Sequence, residues 1–122
     1  MTLQYLEFDY AEDTDGIGTF EAMASVGSEH VQAVLGEMTQ VLAWAFEHFG
    51  EAHGPLEDGF AWDHDLQGQQ EFTLEEVLHF DERNSRVVVQ QHAPGVPRHT
   101  YTLSISGSPD FCDALRARFD LG

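Results

Sequence analysis

The chain has 122 residues, a length that fits one domain, since single domains usually run about 100–200 residues. Hydrophobic residues make up 42%, with nine Phe, three Tyr and two Trp, enough to build a core without disulfides or a structural metal and to exclude disorder throughout. Against 22 Asp and Glu stand 5 Arg and no Lys, a formal net charge of −17, which excludes direct nucleic-acid binding and disfavours anionic membranes, because both are recognised by clustered Lys and Arg.

The N-terminus, Met1-Thr2-Leu3-Gln4-Tyr5, lacks the basic stretch, apolar run and small-residue cleavage site of a secretory signal. No segment approaches the roughly 18 apolar residues of a membrane span. A lone cysteine, Cys112, cannot form an intramolecular disulfide, which suits a cytoplasmic protein. In a C-terminal helix without an activating base it reads as a packing thiol.

Residues 3–10 place Leu6, Phe8 and Tyr10 on one face and Tyr5, Glu7 and Asp9 on the other, the period-2 pattern of a half-buried strand. Residues 18–26 repeat it, with Phe20, Ala22, Ala24 and Val26 opposite Thr19, Glu21 and Ser25. The acidic, Gly-containing link between them predicts a hairpin. From Val31 the apolar residues recur every three or four positions through Phe49, which predicts an amphipathic helix. Ser28 reads as its N-cap and Gly50 as its C′ residue. Gly36, in mid-helix, should cost about 1 kcal/mol relative to Ala, and a close crossing over the sheet would explain it.

Past a loop at 51–59, residues 60–66 alternate with Phe60, Trp62, His64 and Leu66 inward, and Gln67-Gly68 reads as a turn. Residues 70–80 fit either a strand or a capped helix; strand is preferred, with a bulge near Glu75-Glu76. Residues 86–91 and 98–106 read as strands, separated by turns at 81–85 and 93–97. Ser108, Pro109 and Asp110 open a second helix whose buried stripe is Phe111, Leu115 and Phe119. The predicted fold class is α+β, order ββαββββα. It is an antiparallel sheet of about six strands with a long helix and a C-terminal helix packed on one face, forming a single domain over 1–122.

Charge is unevenly placed. Residues 1–82 hold 19 acids and no Lys or Arg, and residues 83–122 hold three acids and all five Arg, giving −19 and +2. Glu7, Asp9, Glu21, Asp63 and Asp65 lie opposite the apolar faces of their strands. Together with Asp13 and Asp15 of the first hairpin link, they predict an acidic plate able to attract a basic protein partner.

Other constellations are weaker. The segment 13–21 resembles the start of an EF-hand loop, but Ala24 stands where the bidentate Glu belongs and Ile17 at the fifth position, so it reads as a hairpin turn. His48, His53 and His64 fall within 17 residues among several acids and are the candidate metal ligands, without tight ligand spacing. Asp63 and His64, adjacent on a strand, should point to opposite faces and form no dyad. No phosphate loop or nucleophile elbow is present, and without Lys there is no Schiff-base chemistry.

The sequence therefore predicts a non-enzymatic binding module, without a cofactor, that engages a basic protein partner. It binds neither nucleic acid nor membrane and is a monomer or a homodimer formed through the acid-free edge 98–106. The alternative is a small-ligand or divalent-metal domain, with a pocket between the long helix and the sheet lined by Trp44, Trp62 and His64.

Overall fold

In the computed structural model, which describes residues 2–91 and 95–122, the elements are β1 (Phe8–Glu12), β2 (Gly18–Gly27), α1 (Val31–Phe49), β3 (Trp62–Glu71), β4 (Glu76–Asp81), β5 (Arg86–Gln91), β6 (Arg98–Gly107) and α2 (Pro109–Phe119). The α+β class and the order ββαββββα are as predicted. The strands divide into an antiparallel four-stranded sheet, β1-β2-β6-β3, and a two-stranded sheet, β4-β5. The turn expected at 93–97 lies partly outside the described residues.

The split has a local cause. Gln67-Gly68 is no turn: β3 continues to Glu71 and pairs with β6 over its whole length, Trp62 opposite Gly107 and Glu71 opposite Arg98. Gly68 is small because it lies across from Tyr101, whose ring would stand 3.2 Å from a Cβ there. The chain then leaves the sheet, forms β4 and β5 as a separate hairpin, and returns as β6. Leu78 and Phe80 face Val89 and Val87 across that hairpin, and all four are exposed. β6 is consequently a central strand, flanked by β2 and β3, and residues 98–106 offer no free edge for a homodimer. The free edges of the larger sheet belong to β1 and β3.

Period-2 alternation gives this sheet one apolar face. Phe20, Ala22, Ala24, Leu103, Ile105 and Trp62 are buried against Val34, Met38, Val41 and Ala45 of α1 and against Phe111, Leu115 and Phe119 of α2. Ser108 caps α2, its Oγ accepting from the Phe111 amide, with Pro109 at the first helical position. Arg116 near the other end pairs with Asp113 at 3.2 Å and lays its guanidinium 4.7 Å from the centre of the Tyr10 ring. No helix among the described residues is long and apolar enough to cross a membrane.

Three positions depart from the sequence expectation. Ser28 does not cap α1; it begins a 3-10 turn, and its hydroxyl lies 3.2 Å from His99 Nε2. Gly50 is not left-handed, with φ −59°, and leads into another 3-10 turn. Gly36 is exposed, and a methyl group placed on its Cα would meet nothing within 4 Å, so no close crossing accounts for it. Gly36→Ala should therefore stabilise the protein by about 1 kcal/mol, because it removes backbone entropy from the unfolded chain at no steric cost. Denaturant unfolding checks this, a rise in midpoint being expected.

The first strand is shorter than the 3–10 pattern predicts, starting at Phe8. Residues 4–6 instead present their backbone N–H groups to one carboxylate, Glu37 of α1, at 2.8 Å from Gln4, 2.9 Å from Tyr5 and 3.0 Å from Leu6. This fixes the N-terminal segment over the helix and seats Leu6 in the core.

Candidate functional site

The sheet face turned away from the helices is polar because the intervening residues of each strand are polar. The registers place Asp9 beside Glu21, Glu21 beside Ser104, and Ser104 beside Asp65, one row across all four strands. The next row runs Ala11, Thr19, Ser106 and Asp63, tied at its centre by a Thr19–Ser106 hydroxyl contact of 2.7 Å. Asp9, Glu21 and Asp65 are exposed. Acidity falls off toward the other end of this face, where Arg98 donates from Nε to the Ser25 hydroxyl at 2.9 Å and from Nη2 to the Ser25 carbonyl at 2.8 Å.

The other predicted acids are placed differently. Glu7 precedes β1 and lies outside the paired rows. Asp13 is engaged by its own turn, its Oδ1 accepting from the Asp15 and Ile17 amides, both at 2.9 Å, beside Gly16 at φ 83°. This is an Asx-stabilised hairpin turn, as the missing EF-hand ligands indicated. Asp15 is exposed at its tip.

Of the three candidate histidines, the structure brings two together. His48 Nδ1 is 2.9 Å from the Trp44 carbonyl on its own helix and takes no part. His53 Nε2 lies 3.0 Å from His64 Nδ1 and 3.1 Å from Asp63 Oδ1. The chain delivers His53 there by running alongside the free edge of β3: Ala61 donates to the Ala52 carbonyl at 2.9 Å and Gly54 to the Trp62 carbonyl at 3.0 Å, making a parallel bridge between His53 and Trp62. Gly54 is required there, since a Cβ would meet the Phe60 ring at 2.5 Å.

Asp63 and His64 do point to opposite faces, but at an edge strand both can reach around to a third residue lying beside that edge. Sequence alternation alone misses this, because it says nothing of what borders the strand. Aromatic rings wall the cluster, Trp62 at 4.5 Å and Phe46 at 4.7 Å from the His53 ring. Burial, and next the nearby His53, lower the pKa of His64, against the opposing pull of Asp63 and Asp65, which favours the neutral imidazole.

No family model, curated protein or solved structure matches the chain. The functional reading rests on its own residues.

The predicted pocket between helix and sheet is differently lined. Trp62 is fully buried, stacked 5.0 Å from Phe111 at an interplanar angle of 6°, and Trp44 packs on Phe111 and Phe119. Both are core residues. The open groove between α1 and β3, about 440 Å³, is lined instead by Leu35, Met38, Leu42, Leu66 and Tyr101. Cys112 is buried, its thiol 3.4 Å from the Gly107 carbonyl and its pKa raised chiefly by burial, as expected of a packing thiol.

Proposed function

We propose that the protein is a non-enzymatic cytoplasmic binding module that engages a basic protein partner through the open acidic face of its larger sheet. The observation that carries this reading is the Asp9–Glu21–Ser104–Asp65 row on a face that neither helix covers. Asp9 and Glu21 stand directly opposite each other in the register, an arrangement that costs roughly a few tenths of a kcal/mol. Charge needed only for solubility could be spread without that cost. A surface rich in Lys and Arg would relieve the repulsion, and electrostatic attraction would speed its approach. The exposed ladder of Leu78, Phe80, Val87 and Val89 on the β4-β5 hairpin supplies apolar area that charged groups alone do not. A negatively charged face has no affinity for nucleic-acid phosphates.

The test is capture from cell lysate at low salt, with elution in steps of rising salt, on three forms of the full chain: the wild type, a face variant (Asp9→Asn, Glu21→Gln, Asp65→Asn) and a control with the same charge removed elsewhere (Glu29→Gln, Glu47→Gln, Glu82→Gln). A stoichiometric basic protein is expected on the wild type and the control, and not on the face variant. Retention by all three forms, or no stoichiometric partner on any, contradicts the reading.

A further inference from the structure

We propose that His53, Asp63 and His64 form a binding site for one divalent transition-metal ion of the Zn²⁺ class, at the β3 edge where the acidic face ends. His53 Nε2 is 3.0 Å from His64 Nδ1 and 3.1 Å from Asp63 Oδ1, and one ligand atom from each residue falls within 4.8 Å of the other two. Around a tetrahedral ion with metal–nitrogen bonds of about 2.0–2.1 Å, neighbouring ligand atoms stand about 3.3 Å apart. The two short distances need to open by about 0.3 Å, and the remaining pair, within 4.8 Å, to settle near the same spacing, for the ion to sit among the three.

Proton counting points the same way. With Asp63 ionised, its oxygen only accepts, so the His53 Nε2 contact with it is attractive only when Nε2 carries a hydrogen. His64 Nδ1 then faces the same single N–H as a second acceptor. If His64 Nδ1 carries the proton instead, the lone pair of His53 Nε2 confronts the carboxylate. In either tautomer two lone pairs crowd one ring N–H hydrogen, whereas a metal cation takes a lone pair from all three atoms at once.

The chemistry of the set selects the metal. Two imidazoles and one carboxylate suit Zn²⁺ and its first-row neighbours, whereas Ca²⁺ and Mg²⁺ require shells built of oxygens. Three protein ligands leave a coordination position open. A depression of about 200 Å³ bordered by Glu57, Asp63, His64, Asp65 and Ser104 adjoins the cluster, with room for water or a small ligand. The site is held in place from behind, since His53 is pinned by backbone hydrogen bonds to the start of β3 and its ring packs on Phe46 and Trp62.

Calorimetric titration of the full-length protein with Zn²⁺ at neutral pH tests the site, together with the visible absorption of the Co²⁺ form, which reports low-symmetry nitrogen and oxygen coordination. The wild type should bind one ion. His53→Gln should weaken binding on the order of 10- to 100-fold or more, since even the loss of an outer-shell partner commonly costs that much. Asp63→Asn, an isosteric change at a side chain 40% exposed, should weaken it in the same direction. His48→Gln should leave it unchanged. Absence of one-to-one binding, unchanged affinity in both His53→Gln and Asp63→Asn, or an equal loss in His48→Gln would overturn the assignment. Because Asp63 is intact in the face variant, Zn²⁺ binding and partner capture fail independently.

Discussion

Trp62→Ala should lower stability by about 4 kcal/mol, the middle of the range for removing a large aromatic from a core. Trp62 is fully buried and stacked on Phe111, so truncation leaves a cavity where β3, α1 and α2 meet. It also removes a hydrogen bond: the indole Nε1 donates to the carbonyl of Phe49 at 2.8 Å. Phe49 is the last residue of α1, one of the terminal carbonyls that a helix cannot satisfy itself. Trp62→Phe should cost less, since it keeps most of the stacked surface while losing the donor. At this chain length the Ala variant should melt on the order of 15 °C lower, as read by circular dichroism. A drop of only a few degrees would mean that the sheet and helices are not joined through this residue.

Glu37→Ala should destabilise by about 2–3 kcal/mol, because hydrogen bonds to an ionised acceptor are worth about 1.5–3 kcal/mol each and the half-buried position reduces that value through solvent screening. The three amides of Gln4, Tyr5 and Leu6 would lose their shared acceptor together. Glu37→Gln should retain part of the effect through its remaining carbonyl oxygen. The accompanying sign is local: amide hydrogen exchange at residues 4–6 should accelerate far more than at the β2-β6 pairing. Uniform acceleration across the chain would contradict an anchoring role.

What was legible in the sequence follows from what is local. The 3.6 period of α1, the alternation of β2 and β6, and the Ser108-Pro109 start of α2 are set within a few residues, and the structure reproduces them. Gly68 misleads because the same residue serves a tight turn and a close approach to an aromatic ring, and the neighbour that decides, Tyr101, is far away in sequence. Reading Gly68 as a turn made β3 too short and concealed that β4 and β5 stand as a hairpin of their own. Glu37 was invisible for a related reason: on a helix it looks like any exposed acid until residues 4–6 come to lie across it. Gly36 is the opposite case, a residue for which a structural reason was expected and none exists.

The acidic face was partly legible. Alternation assigned Asp9, Glu21, Asp63 and Asp65 to the polar sides of their strands, but only the order β1-β2-β6-β3 puts Ser104 between Glu21 and Asp65, and Ser106 between Thr19 and Asp63. The same alternation adds Glu7, which falls outside the strand, and charge alone adds Asp13, which is occupied by its turn. For the histidines, proximity in sequence nominated three. The fold keeps His53 and His64, turns His48 back onto its own helix, and adds Asp63 from the acidic set. The edge of β3 is where the two patterns meet, and edge position is a property of strand order that no local window contains.

The most direct measurement of the central claim is the association rate of the captured basic partner with the wild type and with the face variant Asp9→Asn, Glu21→Gln, Asp65→Asn, as ionic strength rises. Steering by the open face predicts a wild-type rate that falls by about tenfold or more from low to physiological salt, because exposed charges are screened over about 10 Å at 0.1 M. The face variant should bind more slowly at low salt, with a visibly flatter dependence. Equal rates and equal slopes for the two proteins would contradict the account and leave the acidity of the sheet without a role in binding.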